Sequence, residues 1–206
     1  MEITINSHSS IRIQGQTVLW FDPFQLRTAP KDAAVILLTH EHYDHFSPED
    51  IARAAAPGAV FVAPKAMEKK AAPYGKVIGL WPGETAEVAG VTVKAIPAYN
   101  VSKRFHPRKN DWLGYLVEMD GQRIYVCGDS DVTPETMAVQ CDVLLCPVGG
   151  TYTMTAAEAA QLANTIRPKL AIPTHYGTVV GSRQDAETFR RLVDSAIAVE
   201  LKVEDA

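Results

Sequence analysis

Apolar and polar residues alternate through Glu2 to Asn6, Ser10 to Gln14 and Thr17 to Phe21, or give way there to β-branched ones. A period of two predicts strands with one face in a core. Gln14-Gly15-Gln16 reads as the turn between the second and third, and Asp22-Pro23 ends the meander. Ala33 to Leu38 is apolar without interruption, as expected of a strand covered on both faces. Further strands are predicted over Ala59 to Ala63, Lys76 to Trp81, Thr85 to Val88 and Val91 to Ile96, followed by a long polar connection from Pro97 to Asp111. Leu113 to Met119 and Gln122 to Cys127 flank Asp120-Gly121, a strong hairpin signal. Asp142 to Pro147, Leu170 to Pro173 and Ala198 to Val203 complete the strand pattern.

Helix signals fall between these strands. Ser47-Pro48-Glu49-Asp50 combines a capping serine, a proline suited to the first turn and acids that favour the positive helix end. A weak helix is expected over Lys65 to Ala71. Thr155-Ala156-Ala157-Glu158 is a capping box that opens an alanine-rich helix to about Ile166, stopped by Pro168. Gln184 to Ser195 is the last helical stretch. Strands in two groups, each with attached helices, predict an α+β fold of two sheets packed face to face with helices outside.

No Pro/Gly/Ser-rich linker divides the chain and no short repeat runs through it, so residues 1–206 are expected to form one domain. Apolar residues make up 47% and charged residues 21%, which excludes disordered, collagen-like and coiled-coil classes. The net charge of −4 gives no general attraction to phosphate backbones, and no nucleic-acid partner is expected. The apolar runs are far shorter than the roughly 20 residues of a membrane span, and the start lacks the basic and apolar regions of a signal peptide. The three cysteines show no Cys-x-x-Cys spacing. They read as reduced thiols, which suits a cytoplasmic protein. Oligomeric state is not legible.

The chemistry concentrates in Thr39-His40-Glu41-His42-Tyr43-Asp44-His45, which holds three of the six histidines and follows directly on the apolar strand. His40 and His42 are two apart, so both imidazoles can point to one side of an extended segment. Asp44 and His45 can serve a neighbouring ion, and the donor types suit zinc-like divalent cations. Gly128-Asp129-Ser130-Asp131 and Thr174-His175-Tyr176-Gly177 also follow strands and can bring a carboxylate and an imidazole to the same place.

Taken together, these residues resemble the metallo-β-lactamase-fold hydrolases over essentially the whole chain. The His-x-His-x-Asp-His motif is matched by His40, His42, Asp44 and His45, the early strand-end aspartate by Asp22, the bridging aspartate by Asp129 and the late histidine by His175. His8 with Ser9, and the run Pro147 to Met154, are similar to the compact branch of L-ascorbate-6-phosphate-lactonase-like and other metal-dependent hydrolases. The resemblance implies a four-layer αββα sandwich with one or two Zn2+ ions at an edge between the sheets; Mn2+ or Fe becomes an alternative where an imidazole ligand is missing or replaced by an oxygen donor. It also implies that Asp22 and His8 support the ligands from behind.

One departure stands out. The family supplies a further histidine after the strand matching Val91 to Ile96, where this chain reads Pro97-Ala98-Tyr99-Asn100. Either Asn100 is an oxygen ligand, or His106 folds back, or the site is one ligand short. The implied activity is hydrolysis of a small ester, lactone or phosphodiester by water whose pKa two cations lower toward about 7. Asp44 would orient that water and accept its proton. The basic run Lys103-Arg104-Phe105-His106-Pro107-Arg108-Lys109 lies beside this region, so Lys103, Arg104 and Arg108 are expected to meet an anionic substrate, with Tyr152 a further contact. A metal-binding fold without catalysis, serving as a binding module, is the competing reading.

Overall fold

A computed structural model describes residues 1–203, in which thirteen strands form two sheets. The first sheet holds β1 (Glu2–Ser7), β2 (Ser10–Gln14), β3 (Val18–Phe21), β4 (Ala33–Leu37), β5 (Ala55–Pro64) and β6 (Lys76–Leu80), side by side in chain order. Its first three strands are an antiparallel meander and β3 to β6 run parallel. The second sheet holds β7 (Thr85–Val88), β8 (Val91–Pro97), β9 (Leu113–Met119), β10 (Gln122–Val126), β11 (Val143–Pro147), β12 (Leu170–Thr174) and β13 (Ala198–Val199), again in chain order. It is antiparallel up to β10 and parallel from there to β13.

The helices are α1 (Pro48–Ala54), α2 (Glu68–Ala71), α3 (Pro134–Met137), α4 (Ala156–Ile166) and α5 (Arg183–Leu192). Ile51 and Ala54 of α1 and Ala71 of α2 pack with Ile36, Phe61 and Ala63 on the outer face of the first sheet. On the second sheet α4 lies against β11 and α5 against β12. The central core is the space between the sheets, where Val35, Leu37 and Val62 share one buried cluster with Val93, Tyr115, Val117 and Leu145. The run Ala33 to Leu38 is therefore covered on both faces, Val35 and Leu37 inward, Ile36 and Leu38 outward. The αββα sandwich expected from the pattern is the observed architecture.

Three details differ from the sequence expectation. The final strand is two residues long. Past Val199 the chain leaves its sheet, and Val203 bridges to Ile5 of β1, joining the sheets at that end. Strand β5 starts at Ala55, earlier than Ala59, because Ala55 pairs with Ala33 across an irregular register. Helix α3 was not expected. Its capping box uses Thr133 and Thr136, without the glutamate that makes such boxes conspicuous.

Strands β1, β3, β4, β8, β10, β11 and β12 all run toward one edge of the sandwich. The connections that leave them there carry His8, Asp22, His40 to His45, Asn100 to His106, Asp129, Tyr152 and His175. Open sheets with parallel strands characteristically bind ligands outside the carboxyl ends of their strands. Among the described residues, no helix is long and apolar enough to cross a membrane.

Candidate metal centre

The first ligand loop is held by buried hydrogen bonds as it leaves β4. Tyr115 donates its hydroxyl to the Leu38 carbonyl across the sheets at 2.7 Å, and Leu113 N–H donates to the Thr39 carbonyl at 3.1 Å. Asp22 accepts at Oδ1 from Thr39 N–H (2.8 Å), and at Oδ2 from the Thr39 hydroxyl (2.5 Å) and His45 Nδ1 (2.7 Å). A tight turn, with His45 and Phe46 N–H donating to the His42 carbonyl, folds His45 back beside His40. On the opposite sheet Gly128 adopts a φ of +63°, and a Cβ there would lie 2.8 Å from the Leu113 carbonyl oxygen. Glycine at that corner lets the β10 exit press against the Thr39 loop and brings Asp129 inward.

Three overlapping groups of ligand atoms result, each with all members within 4.8 Å of one another: His40, His42 and His106; His8, Asp44, His45 and His175; and His40, His45 and Asp129. His40 Nε2 is 3.0 Å from His42 Nδ1. Asp129 lies among the rings, its Oδ2 3.0 Å from His175 Nε2 and 3.2 Å from His106 Nε2, its Oδ1 3.3 Å from His45 Nε2. Asp44 Oδ2 is 3.5 Å from His8 Nε2 and 3.6 Å from His45 Nε2.

Despite these distances, His8 Nδ1 and Nε2, His45 Nε2, His106 Nε2, His175 Nδ1 and Nε2 and Asp129 Oδ1 are buried without an aligned hydrogen-bond partner. Buried polar atoms are ordinarily paired, and an orphan costs about 1–3 kcal/mol. Lone pairs that converge on shared points without bonding one another fit divalent cations. The donor set, rich in imidazole with carboxylates between, fits them too.

The electrostatics agree for three of the imidazoles. Burial pushes the His40 imidazole well below its ordinary range, with the neighbouring His45 adding to it. Burial also lowers His42. His8 falls to about 4, again by burial, with His175 and His45 reinforcing it against the opposing pull of Asp44. Neutral imidazole is the form that binds metal. Burial would raise Asp129, but the imidazoles of His175 and His45 hold its carboxyl well below the usual range. Burial would lower His45, but Asp129 and Asp22 on either side hold it well above.

In the region after β8 it is His106, folded back from its loop, and not Asn100 that faces the cluster. Asn100 does not offer its oxygen to the cluster. Oδ1 accepts from His106 N–H (3.0 Å) and faces His106 Nδ1 (3.1 Å), while Nδ2 donates to Asp131 Oδ1 and to the Tyr152 carbonyl. The His106 carbonyl in turn accepts from Asn100 N–H at 2.7 Å. These contacts draw the loop back on itself and leave His106 Nε2 facing His40, His42 and Asp129.

The basic run has acidic partners of its own. Lys103 Nζ lies 2.5 Å from Asp131 Oδ1 and Arg108 lies 2.7 Å from Glu135, over the Tyr99 ring. Neither these two nor the exposed Arg104 lines the cleft above the cluster. That cleft, about 320 Å³, is lined by His42, Tyr43, Asp44, Phe105, His106, Asp129, Tyr152 and Val179. Sequence reasoning singled out Tyr152 there and missed Tyr43, Phe105 and Val179. No periodicity flags a residue whose importance lies in where its loop folds. The left-handed backbone of His8, Asp22 and His175 (φ 51°, 44° and 59°) was likewise invisible. Such local strain concentrates at functional sites.

Residues 2–175 match the beta-lactamase superfamily domain. The chain belongs to that family. An UPF0173 metal-dependent hydrolase of Thermococcus kodakarensis is 32% identical over 94% of this chain and 92% of its own. Among solved structures, a Parabacteroides distasonis chain assigned to the metal-dependent hydrolases has a TM-score of 0.85 at 32% identity, covering 97% of this chain and 91% of that one. Igni18, a metallo hydrolase from Ignicoccus hospitalis, has a TM-score of 0.81 at 25% identity, covering 98% and 95%.

Proposed function

We propose that this member of the beta-lactamase superfamily is a metal-dependent hydrolase that cleaves a small ester, lactone or phosphodiester at a two-ion centre. The observation that carries the reading is the set of buried, unpartnered nitrogens of His8, His45, His106 and His175 around Asp129. His40, His42 and His106 would hold one ion; Asp44, His45 and His175 the other, with His8 beside them; Asp129 would stand between. A first site of three imidazoles suits zinc over manganese or iron. Bound there, the cations would lower the pKa of water and polarise the scissile carbonyl or phosphoryl group.

The remaining work falls to the chain. Asp44 reaches both the cleft and the cluster, so it orients the attacking water and accepts its proton. Asp22 fixes the proton of His45 on Nδ1, and Asn100 with the Tyr152 carbonyl does the same for His106, so each presents Nε2 inward. The rings of Tyr43, Phe105 and Tyr152 shield the centre from bulk water. The reading treats residues 1–206 as one catalytic unit. The buried, unpaired thiols of Cys127, Cys141 and Cys146 suit a reducing, cytoplasmic setting.

A ligand missing after β8 would favour the binding-module alternative; His106 beside His40 and His42 supports the hydrolase reading instead. The test is metal analysis of the purified protein, followed by assays on lactones and bis(p-nitrophenyl) phosphate with zinc and with manganese. Turnover is expected, and Asp44→Asn, which neutralises both a ligand of the second ion and the proton acceptor, should lower kcat by about 10²–10⁴-fold even at saturating zinc. Bound metal without turnover on any of these substrates would overturn the hydrolase reading.

A further inference from the structure

Above the metal-binding groups the cleft changes character. Its floor is His42, Asp44, His106 and Asp129, and the rest of its lining is Tyr43, Phe105, Tyr152 and Val179, none of them charged. The nearby cations do not line it: Lys103 pairs with Asp131 and Arg108 with Glu135, and the exposed Arg104 also lies outside the lining. Tyr43 is 67% exposed and Phe105 46% exposed. Aromatic rings left in water beside a buried polar cluster mark a surface that something apolar covers.

The rings are already held in place. Phe105 sits edge-on to Tyr152 with centroids 4.6 Å apart, and Tyr43 edge-on to Phe24 at 6.1 Å. A ligand meeting them loses little to ordering side chains. A volume of about 320 Å³ is near the lower end for small-molecule sites, room for roughly one ring and a reacting group.

We propose that the substrate carries an uncharged aryl group beside the scissile bond, gripped by Tyr43, Phe105, Tyr152 and Val179. This rests on the reading of the cluster as a hydrolytic metal centre, and it replaces the anionic substituent expected from the basic run. Beyond the metal centre itself, an anionic substituent in this cleft would meet aromatic faces and no cationic side chain of the lining.

Three hydroxamates with the same metal-binding head test it on the zinc-loaded full chain: acetohydroxamate, phenylacetohydroxamate and the anionic succinic monohydroxamate. Calorimetric Kd values are the readout. Phenylacetohydroxamate should bind about tenfold tighter than the other two, as burial of one ring predicts. Phe105→Ala and Tyr43→Ala, both at exposed positions, should each cut that advantage to about threefold or less. Equal affinities, tighter binding of the anionic probe, or an aryl preference that survives both substitutions would overturn the inference. Ester and lactone turnover is measured separately. Absent turnover with the aryl preference intact fails the hydrolase reading alone, and turnover without the preference fails this inference alone.

Discussion

At the scale of single residues, the site depends on side chains that never face the cleft. Asp22 is fully committed to Thr39 and His45, and its removal frees the His45 ring to rotate and to change tautomer. Asp22→Ala should weaken metal binding about 10–100-fold, read by chelator competition. Asn100→Ala should weaken it to a similar degree at one ion only, because it frees His106 alone. Equal loss at both ions would argue against that assignment. These partnerships mark what the sequence could not disclose. The histidine-rich loop was legible because its ligands are local and regularly spaced. His106 was ambiguous because its place depends on Asn100, Asp131 and the Tyr152 carbonyl, the last 46 residues away. Lys103 looked like a free cation for the same reason: its partner Asp131 lies 28 residues along the chain.

Elements were legible where the core imposes a period. The meander β1 to β3, the doubly covered β4 and the hairpin β9–β10 follow from alternation and turn residues, because each strand buries one face or both. Short elements were not. Helix α3 has four residues, too few for a repeating apolar stripe, and β13 is too brief to show an alternation of its own. Helix α1 shows how an element is tied to the site edge. Asp50 in its first turn accepts from the Gln25 N–H at 2.8 Å, the Leu26 N–H at 3.0 Å and the Ser47 hydroxyl at 2.8 Å. It therefore clamps the segment after β3 against the helix that follows the histidine loop. Asp50→Ala strands buried donors and should cost roughly 2–4 kcal/mol in urea denaturation. Thr155→Ala, which removes only the cap of α4, should cost about 1 kcal/mol, since it leaves no buried donor stranded.

Across the whole molecule the two sheets meet through one continuous core, and that core encloses all three cysteines. Burial pushes the Cys127 and Cys146 thiols well up, and raises Cys141 to about 12 against the smaller opposing influence of Arg123. The thiolate is the nucleophile, so at pH 8 the folded protein offers almost none, and no path from solvent reaches the two that are fully buried. In 5,5′-dithiobis(2-nitrobenzoate) at that pH, all three thiols should stay unmodified while the chain is folded, and should react together in urea as it unfolds. Cys127 lies one residue before Gly128 and two before Asp129, so its labelling also reports on the β10 exit that carries the central carboxylate. If metal ties the two sheets together at this edge, adding zinc should slow labelling of all three by the same factor, because binding to the folded state stabilises the whole cooperative unit. A cysteine that reacts rapidly in the folded protein, or a zinc effect confined to Cys127, would mean that the edge opens on its own and that the sheets do not share a single core.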